Sequence, residues 1–143
     1  MASAQQIINY CKSLNFTQLK QYGYDRYREV FDYLNPITHN HLETNKGIIE
    51  CLVVCFALDG YLSNGEWEFL KYIFKISEIN RDYYEEMIDQ KRSISIKRDV
   101  SNLCKRLPGS VKVSFISLCI AAMCSDGRFT YDDLDFLEDC LLG

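Results

Sequence analysis

The stretch Ala57-Leu58-Asp59-Gly60-Tyr61-Leu62-Ser63-Asn64-Gly65-Glu66-Trp67-Glu68-Phe69-Leu70 is repeated further along the chain. At a constant offset of 67 it returns as Cys124-Ser125-Asp126-Gly127-Arg128-Phe129-Thr130-Tyr131-Asp132-Asp133-Leu134-Asp135-Phe136-Leu137. Under that offset Asp59 falls on Asp126, Gly60 on Gly127, Leu62 on Phe129, Ser63 on Thr130 and Glu66 on Asp133. Trp67, Phe69 and Leu70 fall on Leu134, Phe136 and Leu137. Self-similarity at a fixed spacing is a stronger sign of architecture than any single motif.

Each copy follows a long apolar run, 48–58 or 111–124, without helix breakers. Asp-Gly then ends the run. A glycine just past a helix end can take the left-handed conformation, and a following apolar residue packs back on the last turn. Leu62 and Phe129 stand where that contact is made. Ser63 and Thr130 are N-cap residue types, with Glu66 and Asp133 three positions on. Ser-x-x-Glu is a capping box; Thr-x-x-Asp is a weaker version, because aspartate reaches less far. Each copy predicts helix, tight turn, helix. Trp67, Leu70 and Phe74 repeat as Leu134, Leu137 and Leu141 on one helical face, widened by Phe69, Ile73, Phe136 and Cys140. The preceding helices have almost no polar face, so 48–58 and 111–124 are expected to lie at the centre.

These two Asp-Gly hairpins, each after an apolar helix and before an acidic capping position, resemble the tellurite-resistance TerB family. That family includes a similar domain at the N-terminus of a membrane-anchored DnaJ-like co-chaperone. The resemblance covers roughly 43–143. It implies an all-α, single-domain bundle of about eight helices with an internal pseudo-twofold repeat. In these terms 1–42 is an N-terminal helical extension packed on the core, and 43–143 the TerB-like repeat domain.

With 143 residues, 48% of them hydrophobic and 25% charged, the chain is large enough for one real core. A net charge of -4 argues against a general polyanion binder, so no nucleic acid is expected. The first residues carry no basic region or apolar core, and a signal peptide is not expected. The apolar runs are too short to span a bilayer. Seven cysteines, none in Cys-x-x-Cys spacing, fit reduced core thiols in a cytoplasmic protein.

Elsewhere the chain reads as further helices at about 4–14, 17–34, 81–91 and 94–107. Asn35-Pro36 is expected to stop the second. Tyrosines 10, 22, 24, 27 and 33 either hold the N-terminal helices on the core or form an aromatic partner surface. The linker 36–42 carries His39 and His41 near Glu43, a spacing that indicates solvated imidazoles more than a metal site. Ser110 is expected to cap the second central helix. Lys91, Arg92, Lys97, Arg98, Lys105, Arg106 and Lys112 form a basic block, whereas acids crowd beyond residue 125. Such blocks are usually solvated faces.

No phosphate loop, dinucleotide fingerprint, zinc-protease motif or nucleophile elbow is present, and catalysis is not expected. The one candidate for chemistry is the set of carboxylates at the turns: Asp59, Glu66, Asp126, Asp133 and Asp132. Clustered oxygens suit a hard cation such as calcium or magnesium. The resemblance adds to this, since TerB proteins are thought to bind metal through acidic clusters. Against it, Glu66 and Asp133 have capping tasks, Asp59 and Asp126 favour the positive end of the next helix, and neither loop follows the EF-hand pattern. The leading expectation is therefore a non-catalytic interaction module with a protein partner, as the resemblance implies in stress-response or tellurite-resistance systems. Its candidate partner-binding residues are Lys97, Arg98, Lys105 and Arg106. The alternative is a divalent-cation sensor using the turn carboxylates.

Overall fold

Eight α-helices account for most of the described chain, and no strand occurs among its residues. The structure is a computed structural model that describes residues 3–58, 60–90 and 94–142, with the side chains of 94–96 and of Cys140 left aside. Asp59, Lys91, Arg92 and the side chain of Cys140, all singled out above, lie outside the described residues.

Local signals explain most helix starts. Ser3 opens α1 (Ala4–Ser13) and Asn15 opens α2 (Phe16–Thr38), each in a capping box with a glutamine three residues on. Asn40 opens α3 (His41–Ala57) by accepting hydrogen bonds from the Leu42 and Glu43 amides. Helices α4 (Asn64–Phe74), α5 (Arg81–Gln90) and α6 (Ile94–Arg106) follow, with a short 3-10 turn at Glu78–Asn80 before α5. The chain ends in α7 (Gly109–Cys124), α8 (Tyr131–Phe136) and a π turn, Leu137–Leu141.

The two apolar helices lie at the centre. Ser114 to Cys124 of α7 are buried without a gap, as are Cys51 to Ala57 of α3. Helix α2 packs chiefly on α7 and also meets α3 and α4. Its Leu19, Tyr27, Val30 and Phe31 join the same core cluster as the rest of the chain. Gly23 lets α2 approach α4: a Cβ there would stand 2.5 Å from Cζ of Phe69. Tyr27 is buried and Tyr22 and Tyr24 are half-buried, whereas Tyr10 and Tyr33 are exposed. The tyrosines thus serve mainly to seat α1 and α2. No helix is long and apolar enough to cross a membrane among the described residues.

Three expectations need correction. Helix α2 does not stop at Asn35-Pro36; it runs through Pro36 to Thr38. A proline in a last turn costs a helix only one amide donor and the contact with the residue four back, and here that residue, Asp32, faces solvent. The helix ends instead at His39, whose left-handed backbone (φ 58°) lets its amide reach the Asn35 carbonyl. The linker 36–42 therefore shrinks to His39-Asn40, and His41 begins α3 with its ring against Phe31. Ser110 does not cap α7 either. Pro108 holds the N-cap position without a side-chain bond, and Ser110 lies inside the helix.

Candidate functional site

Both Asp-Gly turns have the conformation that the residue types call for. Gly60 and Gly127 have φ of 85° and 86°, and their amides donate to the Ala57 and Cys124 carbonyls at 3.0 Å. Only glycine takes this left-handed geometry without strain. The helices after the turns begin in reciprocal capping boxes. The Ser63 amide donates to Glu66 Oε1 at 2.9 Å, and the Glu66 amide to Ser63 Oγ at 3.2 Å. The Thr130 amide donates to Asp133 Oδ2 at 2.8 Å, and the Asp133 amide to Thr130 Oγ1 at 3.2 Å. Aspartate reaches the N-cap amide as well as glutamate does, so the second box is not the weaker one in geometry. Glu66 is 1% and Asp133 2% exposed.

The two turns meet. A Cβ on Gly65 would lie 2.2 Å from the Ser125 carbonyl oxygen, so the first turn of α4 rests directly on the backbone of the second Asp-Gly turn. Across the same junction Arg128 Nη2 donates to the Tyr61 hydroxyl at 3.1 Å. Asp126 is folded into its own turn. Its Oδ1 accepts from the Arg128 amide at 3.0 Å, its Oδ2 lies 3.8 Å from Arg128 Nη2, and the side chain is only 6% exposed. Asp132 is exposed on the first turn of α8. The five candidate ligands are thus placed differently: Glu66 and Asp133 inside caps, Asp126 in a turn, Asp132 in solvent, and Asp59 outside the described residues. No group of three or more His, Cys, Asp or Glu placed to hold a metal occurs among the described residues.

Residue patterns did not mark Gly65, Tyr61 and Arg128 as the junction. The available signal was the glycine at position 65, where the second copy has Asp132. A glycine in a helix's first turn lowers helix propensity, and a close backbone neighbour is a usual reason to keep one.

Four of the cysteines are poor nucleophiles. Burial pushes the Cys11 and Cys124 thiols up to about 12. Cys104 is also raised by burial, and Cys119 by a hydrogen bond with Cys55 together with burial. The thiolate is the reactive form, so these four thiols stay inert at neutral pH. Near α4, Trp67 Nε1 donates to Glu78 Oε2 at 2.8 Å, and Lys71 Nζ lies 2.6 Å from the same oxygen and 2.8 Å from Glu68. Hydrogen bonds from Lys71 and then Trp67 hold the Glu78 carboxyl below its usual range. This is a brace between α4 and the 3-10 turn.

On α6 the apolar side, Val100, Cys104 and Leu107, faces the core. Arg98, Lys105 and Arg106 are exposed and Lys97 is half-buried. None of the four forms an ion pair with a carboxylate among the described residues.

Compared with protein-family models, with curated proteins and with solved structures, the chain matches none.

Proposed function

We propose that this chain is a non-catalytic interaction domain of TerB-like type, with the two Asp-Gly hairpins as pseudo-symmetric joints of a rigid scaffold. The observation that carries this is the use of the turn carboxylates. Glu66 and Asp133 are buried against their own helix N-termini, and Asp126 is held by its neighbour's amide. Those acids are engaged in the scaffold and four buried thiols are held protonated, which supports recognition as the role. The cations of α6, which form no ion pair among the described residues, supply a surface for an acidic protein partner. The cysteine usage favours a cytoplasmic setting, and the resemblance a stress-response or tellurite-resistance system. Reversing Lys97, Arg98, Lys105 and Arg106 to glutamate is expected to remove the partner from pull-downs. Three of these residues are exposed and Lys97 is half-buried, and substitutions away from caps and core cost little, so the melting temperature should move by only a few degrees. Retention of the same partner by the reversed protein would overturn this assignment of the surface.

A second reading, a divalent-cation sensor, is favoured by the meeting of the turns, which sets Asp126 beside the first turn of α4. A cation there would have to displace Arg128 from Asp126. Thermal unfolding of chelated protein, titrated with calcium, magnesium, manganese and zinc, separates the two. Binding at a hundred times the dissociation constant adds about 2.7 kcal/mol. For a chain of this size that raises the melting temperature by several degrees. The expected result is no saturable rise with any of the four ions. A rise abolished by Asp126→Asn would replace the capping account with the sensor.

A further inference from the structure

A cleft of about 740 Å³ runs between α1, the start of α2 and the second Asp-Gly turn. It opens into a second hollow of about 530 Å³ between α1 and the start of α8, and the two share Lys12, Phe129 and Thr130. The walls are apolar, from Leu14, Phe16, Leu19 and Phe129 in the larger part to Ile8 and Leu134 in the smaller. Phe129 is the offset partner of Leu62, yet the two differ. Leu62 is only 6% exposed, whereas Phe129 stays partly open beneath the cleft.

The charged residues that line the cleft are basic, in a chain that is acidic overall. The protein has 20 acidic and 16 basic residues, but no carboxylate is among the described residues lining either hollow, and Asp126 stands 3.8 Å from Arg128 at the edge. Lys12 and Arg128 stand at its edge, with the Lys12 amine 5.6 Å from the Phe129 ring centre. Lys20 lies 4.9 Å above Phe16 and 5.3 Å from the Tyr72 ring. Lys12 and Lys20 are held by aromatic rings and form no ion pair with a described carboxylate. An ammonium group over a ring keeps most of its capacity to meet an anion.

We propose that this cleft binds a short acidic peptide segment of a partner protein, with apolar side chains against Phe129, Leu14 and Leu19 and carboxylates on Lys12 and Arg128. Amphipathic peptides commonly enter such grooves by apolar anchors, with charge setting orientation and partner choice. A long polyanion fits less well, because the chain as a whole carries a net charge of -4 and only Lys12 and Arg128 among the lining residues are basic. A membrane surface fits less well too, since the apolar walls are recessed. This proposal rests on the reading of the chain as an interaction domain and adds a second surface to α6.

The test is selection of a displayed library of random linear peptides on the full-length protein. Affinities of the selected peptides are then measured by fluorescence anisotropy. Selected sequences are expected to combine acidic residues with aromatic or aliphatic ones. Lys12→Glu, an exposed change that leaves the fold intact, should weaken them about tenfold, and Arg128→Glu likewise. Lys105→Glu with Arg106→Glu should leave them unchanged. Failure to select any peptide, or selection of peptides indifferent to Lys12→Glu, overturns the cleft. If affinity is lost only with the α6 changes, the cleft falls while the interaction reading stands. Tighter binding of a single-stranded oligonucleotide or of anionic phospholipid vesicles, competing with the peptide, would reject the peptide as occupant.

Discussion

Gly65→Ala is expected to destabilise the protein by about 3 kcal/mol, near the upper end of the usual overpacking cost. For a chain of this length that is a fall in melting temperature of roughly 10 °C. The added methyl would stand 2.2 Å from the Ser125 carbonyl oxygen and 3.1 Å from the Asp126 Cα. Both are backbone atoms of a turn held by the hydrogen bond from the Gly127 amide to the Cys124 carbonyl and by that from the Arg128 amide to Asp126, so neither can swing aside as a side chain would. Gly127→Ala provides the comparison. A Cβ there meets nothing within 4 Å, and the cost is that of a left-handed backbone alone, about 1–2 kcal/mol. Thermal or denaturant unfolding of both variants checks the order. Should Gly65→Ala prove as mild as an exposed helix substitution, the two turns do not abut, and Asp126 would be free of the joint assigned to it.

This junction also shows where sequence reading stops. Left-handed glycines, capping boxes and buried helices are local or periodic features, written within a few residues of where they act. Ser63 with Glu66, and Thr130 with Asp133, form the bonds that their spacing calls for. The centrality of α3 and α7 follows from runs of apolar residues with no polar face. Pro36 misled because a proline breaks a helix through the carbonyl four residues back, and whether water can satisfy that carbonyl depends on tertiary position. Asn40 caps a helix whose first residues are mostly polar, so no apolar period marks where it starts. The candidate site was legible only as a set of residue types. That Asp126 meets the first turn of α4, while Asp132 points to solvent, depends on how helices 60 residues apart in sequence cross, about which spacing is silent. The cleft is further removed still, since α1 contributes one wall and the second turn the other.

Trp67→Ala is expected to be the most damaging single change, costing about 4 kcal/mol, within the usual range for truncating a buried tryptophan. The indole is 0% exposed, packs 5.9 Å from the Tyr84 ring and lies 5.5 Å below the Lys71 amine. Its loss opens a cavity at the base of α4, one turn from the junction with Ser125. Trp67→Phe separates packing from hydrogen bonding. It keeps most of the apolar volume and removes only the N–H that donates to Glu78, so it should lose a small fraction of the stability lost by the alanine variant. Glu78 is exposed and keeps Lys71 as a partner. Its carboxyl should then move part of the way back toward the ordinary range, because the Lys71 bond, the larger cause of the shift, remains. A carboxyl depressed in the folded state contributes stability above its unfolded pKa, and that stability is lost as pH falls through the folded value. The wild type should therefore lose its lead over Trp67→Phe on acidification through the folded carboxyl's titration, most clearly in low salt. A lead that did not change with pH would assign the indole's role to packing alone, and Glu78 would then be a solvated partner of Lys71 with no part in bracing α4.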